Sequence, residues 1–168
     1  MEPNRLLALA AASGRIGMVF FVGQRLMDWR ISNFAARSPR AAAAFADKLI
    51  VSLKPDVVIT ERAVSAAHKG DRTKALVLVM AEAAANHEVL DIAVVREFRF
   101  SNKYAEADAL AERYPELMAW KPKHRRFFDN EPRNTVLFEA LVLAQVMLGS
   151  GSVEGPRRSR SIRPHRCP

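Results

Sequence analysis

Between residues 5 and 32 the sequence lays down three apolar or β-branched runs in close succession, separated only by short turns at Ser13-Gly14-Arg15 and Gly23-Gln24. Connections this short join antiparallel neighbours, because a parallel pair needs a crossover of a dozen or more residues. Strands are therefore expected over 5–10, 15–22 and 25–32, and everything after residue 32 has to pack on that sheet or extend it.

The next stretch of chain does both. Pro39 stands where first-turn helix prolines stand, and Phe45, Leu49, Ile50 and Leu53 recur at helical spacing until Lys54-Pro55 stops the helix. Residues 56–60, DVVIT, read as a short buried strand of the parallel-sheet kind. A second helix is expected from an Asp71 cap to about Asn86, with Ala75, Leu76, Val79, Met80 and Ala83 on one face. A fifth strand over 90–95, a helix over 103–113 stopped before Pro115 and a last helix over 132–148 complete the order β-β-β-α-β-α-β-α-α. That order implies an α/β fold: a mixed five-stranded sheet, three antiparallel strands then parallel ones, with helices on both faces.

Charge divides the chain in two. There are 26 Lys plus Arg against 18 Asp plus Glu, a net charge of +8, and 49% hydrophobic residues, enough to close a core. Residues 149–168 hold Arg157, Arg158, Arg160, Arg163 and Arg166 against Glu154 alone, in a Gly/Ser/Pro setting that builds no core. The division expected is a folded domain over 1–148 and a flexible basic tail over 149–168, read as an electrostatic arm for a polyanion, with a solvated tail that only aids solubility as the alternative. The single Cys167 excludes an intrachain disulfide or CxxC zinc site, and the four histidines lack ligand spacing. No run reaches the roughly 18 apolar residues of a membrane span, so no membrane partner is expected. The short apolar run over 6–12 is read as a buried first strand rather than an export signal, which makes the expected location cytoplasmic.

Three groups of residues are candidates for chemistry. Glu61 ends the fourth strand, where open α/β sheets place their ligand crevices; the alternative is a solvated strand-end carboxylate paired with Arg62. Glu139 stands in a helix apolar nearly all round, and a buried carboxylate needs a cation or hydrogen bonds, so it is either salt-bridged or a metal ligand. Asp129 and Glu131 adjoin Lys121, Lys123, His124, Arg125, Arg126 and Arg133, interleaved with Trp120, Phe127 and Phe128. Such a segment can hold a phosphate backbone and stack a base, or be a charged loop with its own ion pairs. No Ser-His-Asp or Cys-His pair, Walker A loop or GxGxxG is present.

Several stretches carry a resemblance: L-x-L-x-x-x-S-x-R-I-G from Leu7 to Gly17, K-P-D-V-V-I-T-E from Lys54 to Glu61, Lys103-Tyr104, Tyr114 to Leu117, and the segment from Asp129 to Ala144. Together with the element order they resemble the RNase H-like superfamily and, within it, the RuvC-type Holliday-junction resolvases. The resemblance implies Mg²⁺ or Mn²⁺ as cofactor if the protein is active, and none otherwise. It implies Glu61, Glu139 and Glu131 as the catalytic carboxylates, and Glu61, Glu139 and Asp129 as metal ligands. Ala10 stands where the family has a first-strand aspartate, and alanine cannot hold a metal. Nucleic acid, DNA rather than RNA, is the expected partner, contacted by Ser13, Arg15, Lys103, Lys123, Arg125, Arg126, Arg157, Arg158 and Arg160; a two-fold homodimer is implied by the resemblance alone. The leading expectation is a nucleic-acid-binding protein on a RuvC-like fold, weakened or inactive as a nuclease. Its alternatives are an active metal-dependent endonuclease and a protein-interaction subunit of a nucleoprotein assembly.

Overall fold

Arg5–Ala12 (β1), Arg15–Val22 (β2) and Arg25–Ser32 (β3) form the antiparallel start of the sheet, in a computed structural model that describes residues 4–62, 69–96, 102–123 and 134–149. At the first turn Ser13 and Gly14 both take left-handed backbone, φ 50° and 74°, the handedness that suits the twist of a tight hairpin. β1 runs two residues beyond its expected end at Ala10, because Ala11 and Ala12 pair with Ile16 and Arg15 across that turn. Register supplies what three weakly β-prone alanines do not.

Pro39–Leu53 (α1) then returns the chain so that Val57–Glu61 (β4) lies parallel to β1. Ser38 Oγ accepts the Ala41 N–H at 3.1 Å, and Lys54 closes the helix with left-handed backbone. Asp71–Ala85 (α2) leads to Leu90–Val94 (β5), parallel to β4, and the strand order is β3-β2-β1-β4-β5. The mixed five-stranded sheet is as expected. Asp71 does not cap α2: Gly70 occupies that position without a side-chain bond, and Asp71 is the first helical residue.

Side-chain alternation sends β1 into two cores. Leu6, Ala8 and Ala10, with Val57 and Ile59, face Lys103–Arg113 (α3) and Thr135–Gly149 (α4). Leu7, Leu9 and Ala11, with Val58, face α1 and α2. On α1 the buried residues are Ala42, Ala46, Leu49 and Ile50, while Phe45 and Leu53 are only partly buried. Small Ala42 and Ala46 line the buried stripe together with Leu49 and Ile50, and this turns Phe45 and Leu53 toward its margins. Two 3-10 turns, Ala35–Arg37 and Pro115–Trp120, lie outside the expected elements. The expected start of the last helix, at Pro132, lies outside the described residues.

α4 crosses directly over Gly17, which pairs with Ala10 across the hairpin. The missing side chain at 17 is what lets the helix backbone rest on the sheet at this point. Among the described residues no helix is long and apolar enough to cross a membrane.

Candidate functional site at the carboxyl end of the sheet

Parallel β1 and β4 end at the same edge of the sheet, and the register Leu6↔Val57, Leu7↔Val58, Ala8↔Ile59 carried two residues on makes Ala10 level with Glu61. Glu61 shares the strand face of Val57 and Ile59, the face that α4 covers, and Glu139 comes down on α4 toward it. Between the two carboxylates stands a residue with no sequence signature of its own. Lys69 Nζ is 2.8 Å from Glu61 Oε2, 3.0 Å from Glu139 Oε2 and 2.8 Å from the Ala11 carbonyl oxygen. The side chains of Lys69, Glu61 and Glu139 are 7%, 2% and 12% exposed.

The cluster continues away from the sheet. Arg96 gives one guanidinium nitrogen to Glu139 Oε1 at 3.2 Å and the other to Glu106 Oε1 at 2.8 Å. Both Glu139 oxygens are therefore bonded to cations, as the salt-bridge reading of that residue expects. Glu61 is paired with Lys69 rather than Arg62, and its Oε1 is buried with no hydrogen-bond partner among the described residues. Three carboxylates thus share two cations in a largely dry interior, where each ion's desolvation is offset only by its partners.

Burial pushes the Glu106 carboxyl above its ordinary value of 4.5, outweighing the Arg96 guanidinium and its hydrogen bond, which pull it down. A carboxyl raised on folding holds its proton more tightly in the native state. Its contribution is thus fully present below the unfolded value and is lost as pH rises through the folded one. Glu106→Gln, which cannot ionise, should therefore gain stability relative to wild type as pH rises from 4.5 upward. Melting temperatures of both proteins over roughly pH 4 to 7 check this, and a wild type that gains on the variant over that window refutes it.

Cationic and polar groups rim the same edge. A hollow of about 240 Å³ is lined by Gly14, Asn33, Arg37, Arg72 and Thr73, with Arg72 donating to the Arg37 carbonyl at 3.1 Å. Asn33 also lines a second hollow of about 280 Å³, together with Arg15, Ile31, Trp120 and Asn134. Of the expected nucleic-acid contacts, Ser13 and Arg15 thus stand at this edge, Lys103 opens α3 one turn before Glu106, and Lys123 is exposed at the end of a described segment. Lys121 is paired with Asp108 at 2.8 Å. Asp129, Glu131, Arg125, Arg126, Arg157, Arg158 and Arg160 lie outside the described residues.

Sequence reasoning misses Lys69, Arg96 and Glu106. The signal available is indirect: a buried Glu139 demands a cation. Lys69 stands eight residues after Glu61 and two before the start of α2, close enough in sequence for its side chain to return to the strand end.

Among the described residues, which leave out Asp129 and Glu131, the donor set does not fit the pair of divalent ions that the resemblance implies. Such ions need several oxygen ligands converging at roughly 2 Å, whereas here an ammonium is bonded to the very oxygens that would supply them. Ala10, level with Glu61, offers no ligand. Among the described residues no group of three or more His, Cys, Asp or Glu side chains is placed to hold a metal.

No family model matches the chain, and no curated protein matches it in sequence. Among solved structures it is similar to the fowlpox virus resolvase, seen in complex with its substrate Holliday junction DNA. That likeness has a TM-score of 0.57 at 15% identity and covers 87% of this chain and 97% of the resolvase. A second likeness is to the yeast mitochondrial Holliday junction resolvase, with a TM-score of 0.46 at 13% identity over 89% of this chain and 82% of that one. The fold is the RNase H-like α/β fold.

Proposed function

We propose that this chain is a DNA-binding protein on a nuclease fold that does not cleave by the two-metal route. The observation that carries the reading is the ammonium of Lys69 set between Glu61 and Glu139. Two-metal hydrolysis needs ions to activate water and to stabilise the leaving oxygen, and neither task can be done by a buried ammonium held between two carboxylates and a carbonyl oxygen. DNA binding is supported by the rim of Arg15, Arg37 and Arg72 around the same edge and by the net charge of +8. It is supported too by the likeness in fold to a resolvase that binds junction DNA.

Fluorescence anisotropy on a four-way junction and on a plain duplex, in low salt and with chelator, tests this. Binding that survives chelation, with intact DNA recovered after incubation in Mg²⁺ or Mn²⁺, is expected; failure to bind either substrate overturns the reading. Arg37→Ala/Arg72→Ala should weaken binding alike on unrelated sequences and flatten the dependence of log K on log salt. The expected change in slope is about 0.9 per lost phosphate contact, hence nearly 2 for the pair. An unchanged slope would remove this rim from the interface.

The buried, unpartnered Glu61 Oε1 favours a second reading, an endonuclease acting through one divalent ion. It requires cleavage that Glu61→Gln abolishes.

A further inference from the structure

The structure assigns the cation of this site to the chain itself. We infer that Lys69 is a tethered replacement for a divalent ion, and that removing its ammonium leaves a site for one such ion formed by Glu61, Glu139 and the Ala11 carbonyl. The inference rests on the proposed function only for its account of where the site came from, since its test uses no nucleic acid.

Three oxygens from three elements, β4, α4 and β1, converge on Lys69 Nζ at 2.8 to 3.0 Å. Two of the contacts are hydrogen bonds, to Ala11 and Glu139, and the third is an ion pair with Glu61. The group is also 7% exposed, which takes it out of reach of a phosphate backbone. A DNA-contacting lysine keeps its head in solvent, and this one does not. The oxygens surround a single point, as ligands surround a metal, and closing them from N···O contact to the 2.3–2.6 Å of a flexible oxygen site asks for shifts of about half an ångström. A fourth oxygen is at hand in Glu61 Oε1, buried and without a partner among the described residues, so that Glu61 can bind side-on. Charge points the same way: without Lys69, Glu61, Glu139 and Glu106 face Arg96 as the one remaining cation of the cluster among the described residues. Oxygen-rich, anionic and lacking nitrogen or sulfur ligands, such a site suits a hard divalent ion. The cluster by itself is also what a purely structural ion pair looks like. The two are separated by what happens when the ammonium is removed.

The test is titration of Mn²⁺, followed by calorimetry and by melting temperature, into wild type, Lys69→Met and Lys69→Met/Glu61→Gln. Wild type should show neither heat nor a melting shift in millimolar Mn²⁺. Lys69→Met should gain both, its melting temperature rising by several degrees once Mn²⁺ is in large excess over Kd, and Glu61→Gln should remove the gain. Adding Ala10→Asp to Lys69→Met places a further carboxylate level with Glu61 and should tighten Mn²⁺ binding. Should Lys69→Met be unfolded without metal, refolding on addition of Mn²⁺ supports the inference and failure to refold overturns it. Mn²⁺ binding by wild type that depends on Glu61 overturns it, as does a folded Lys69→Met indifferent to Mn²⁺. A wild type that binds no DNA but follows this pattern overturns the proposed function and leaves the inference standing.

Discussion

Lys69→Met should cost about 3–5 kcal/mol of stability at neutral pH in metal-free buffer, the range found when one partner of a buried ion pair is removed. For a domain of this size that is a fall of roughly 10 °C or more in melting temperature. The methionine fills the space of the lysine stem, so the loss reports charge rather than a cavity. Among the described residues it leaves Glu61 with neither oxygen partnered and Glu139 held by Arg96 alone. Glu61→Gln in the same chain should return much of the loss, because it removes one carboxylate along with the lost cation and restores the wild-type excess of one, Glu139 and Glu106 against Arg96. A double-mutant cycle measures this as a coupling energy well above the few tenths of a kcal/mol found between independent sites. Additive effects, or a Lys69→Met chain as stable as wild type, would mean that the ammonium is not what holds the two carboxylates in place.

The second large effect is expected far from any charge. A Cβ at position 17 would lie 2.6 Å from the Val136 carbonyl oxygen, 2.8 Å from its carbon and 3.0 Å from the Leu137 nitrogen. All three are backbone atoms, so no rotamer change relieves the clash. α4 has to lift or slide, and with it move Leu137, Leu141 and Ala144, none of them more than 1% exposed. Gly17→Ala should therefore destabilise by about 2–3 kcal/mol, near the top of the usual range for overpacking. In urea the midpoint should fall with the slope of the transition unchanged. Since Glu139 rides on the same helix, the substitution also draws its carboxylate away from Lys69. A midpoint within error of wild type would show that the helix has slack at this crossing.

The sheet is legible in the sequence because its signals are local. Two short turns, alternating burial and a β-branched run after a helix opened by Pro39 leave few arrangements open, and the five strands lie where those features put them. Boundaries are less legible: the alanines at the end of β1 have little strand preference and are held by register. The cap of α2 differs from expectation because Asp71, a good capping residue, comes after a Gly70 that takes the position without a side chain. Glu61 and Glu139 stand out because a carboxylate at a buried strand end or in an apolar helix is anomalous on its face. Lys69 and Arg96 do not, since a lysine or arginine in a connecting segment looks ordinary until its partner is known. Even so, the burial of Glu139 requires a cation somewhere, and that requirement is the readable part.

The contacts of Lys69 join residues 58 positions apart, to Ala11, and 70 apart, to Glu139. Loops of that length close at an entropic cost that local turns do not meet, so contacts of this kind belong to the slow, topology-limited part of assembly. Neither half of the sheet can form the cluster alone. The hairpin brings a carbonyl, the parallel strand and the last helix a carboxylate each, and the connection into α2 the ammonium. The ion pairs therefore exist only in a chain whose first and last elements have already met, and the edge they organise is the part of the molecule that reports whether folding is complete.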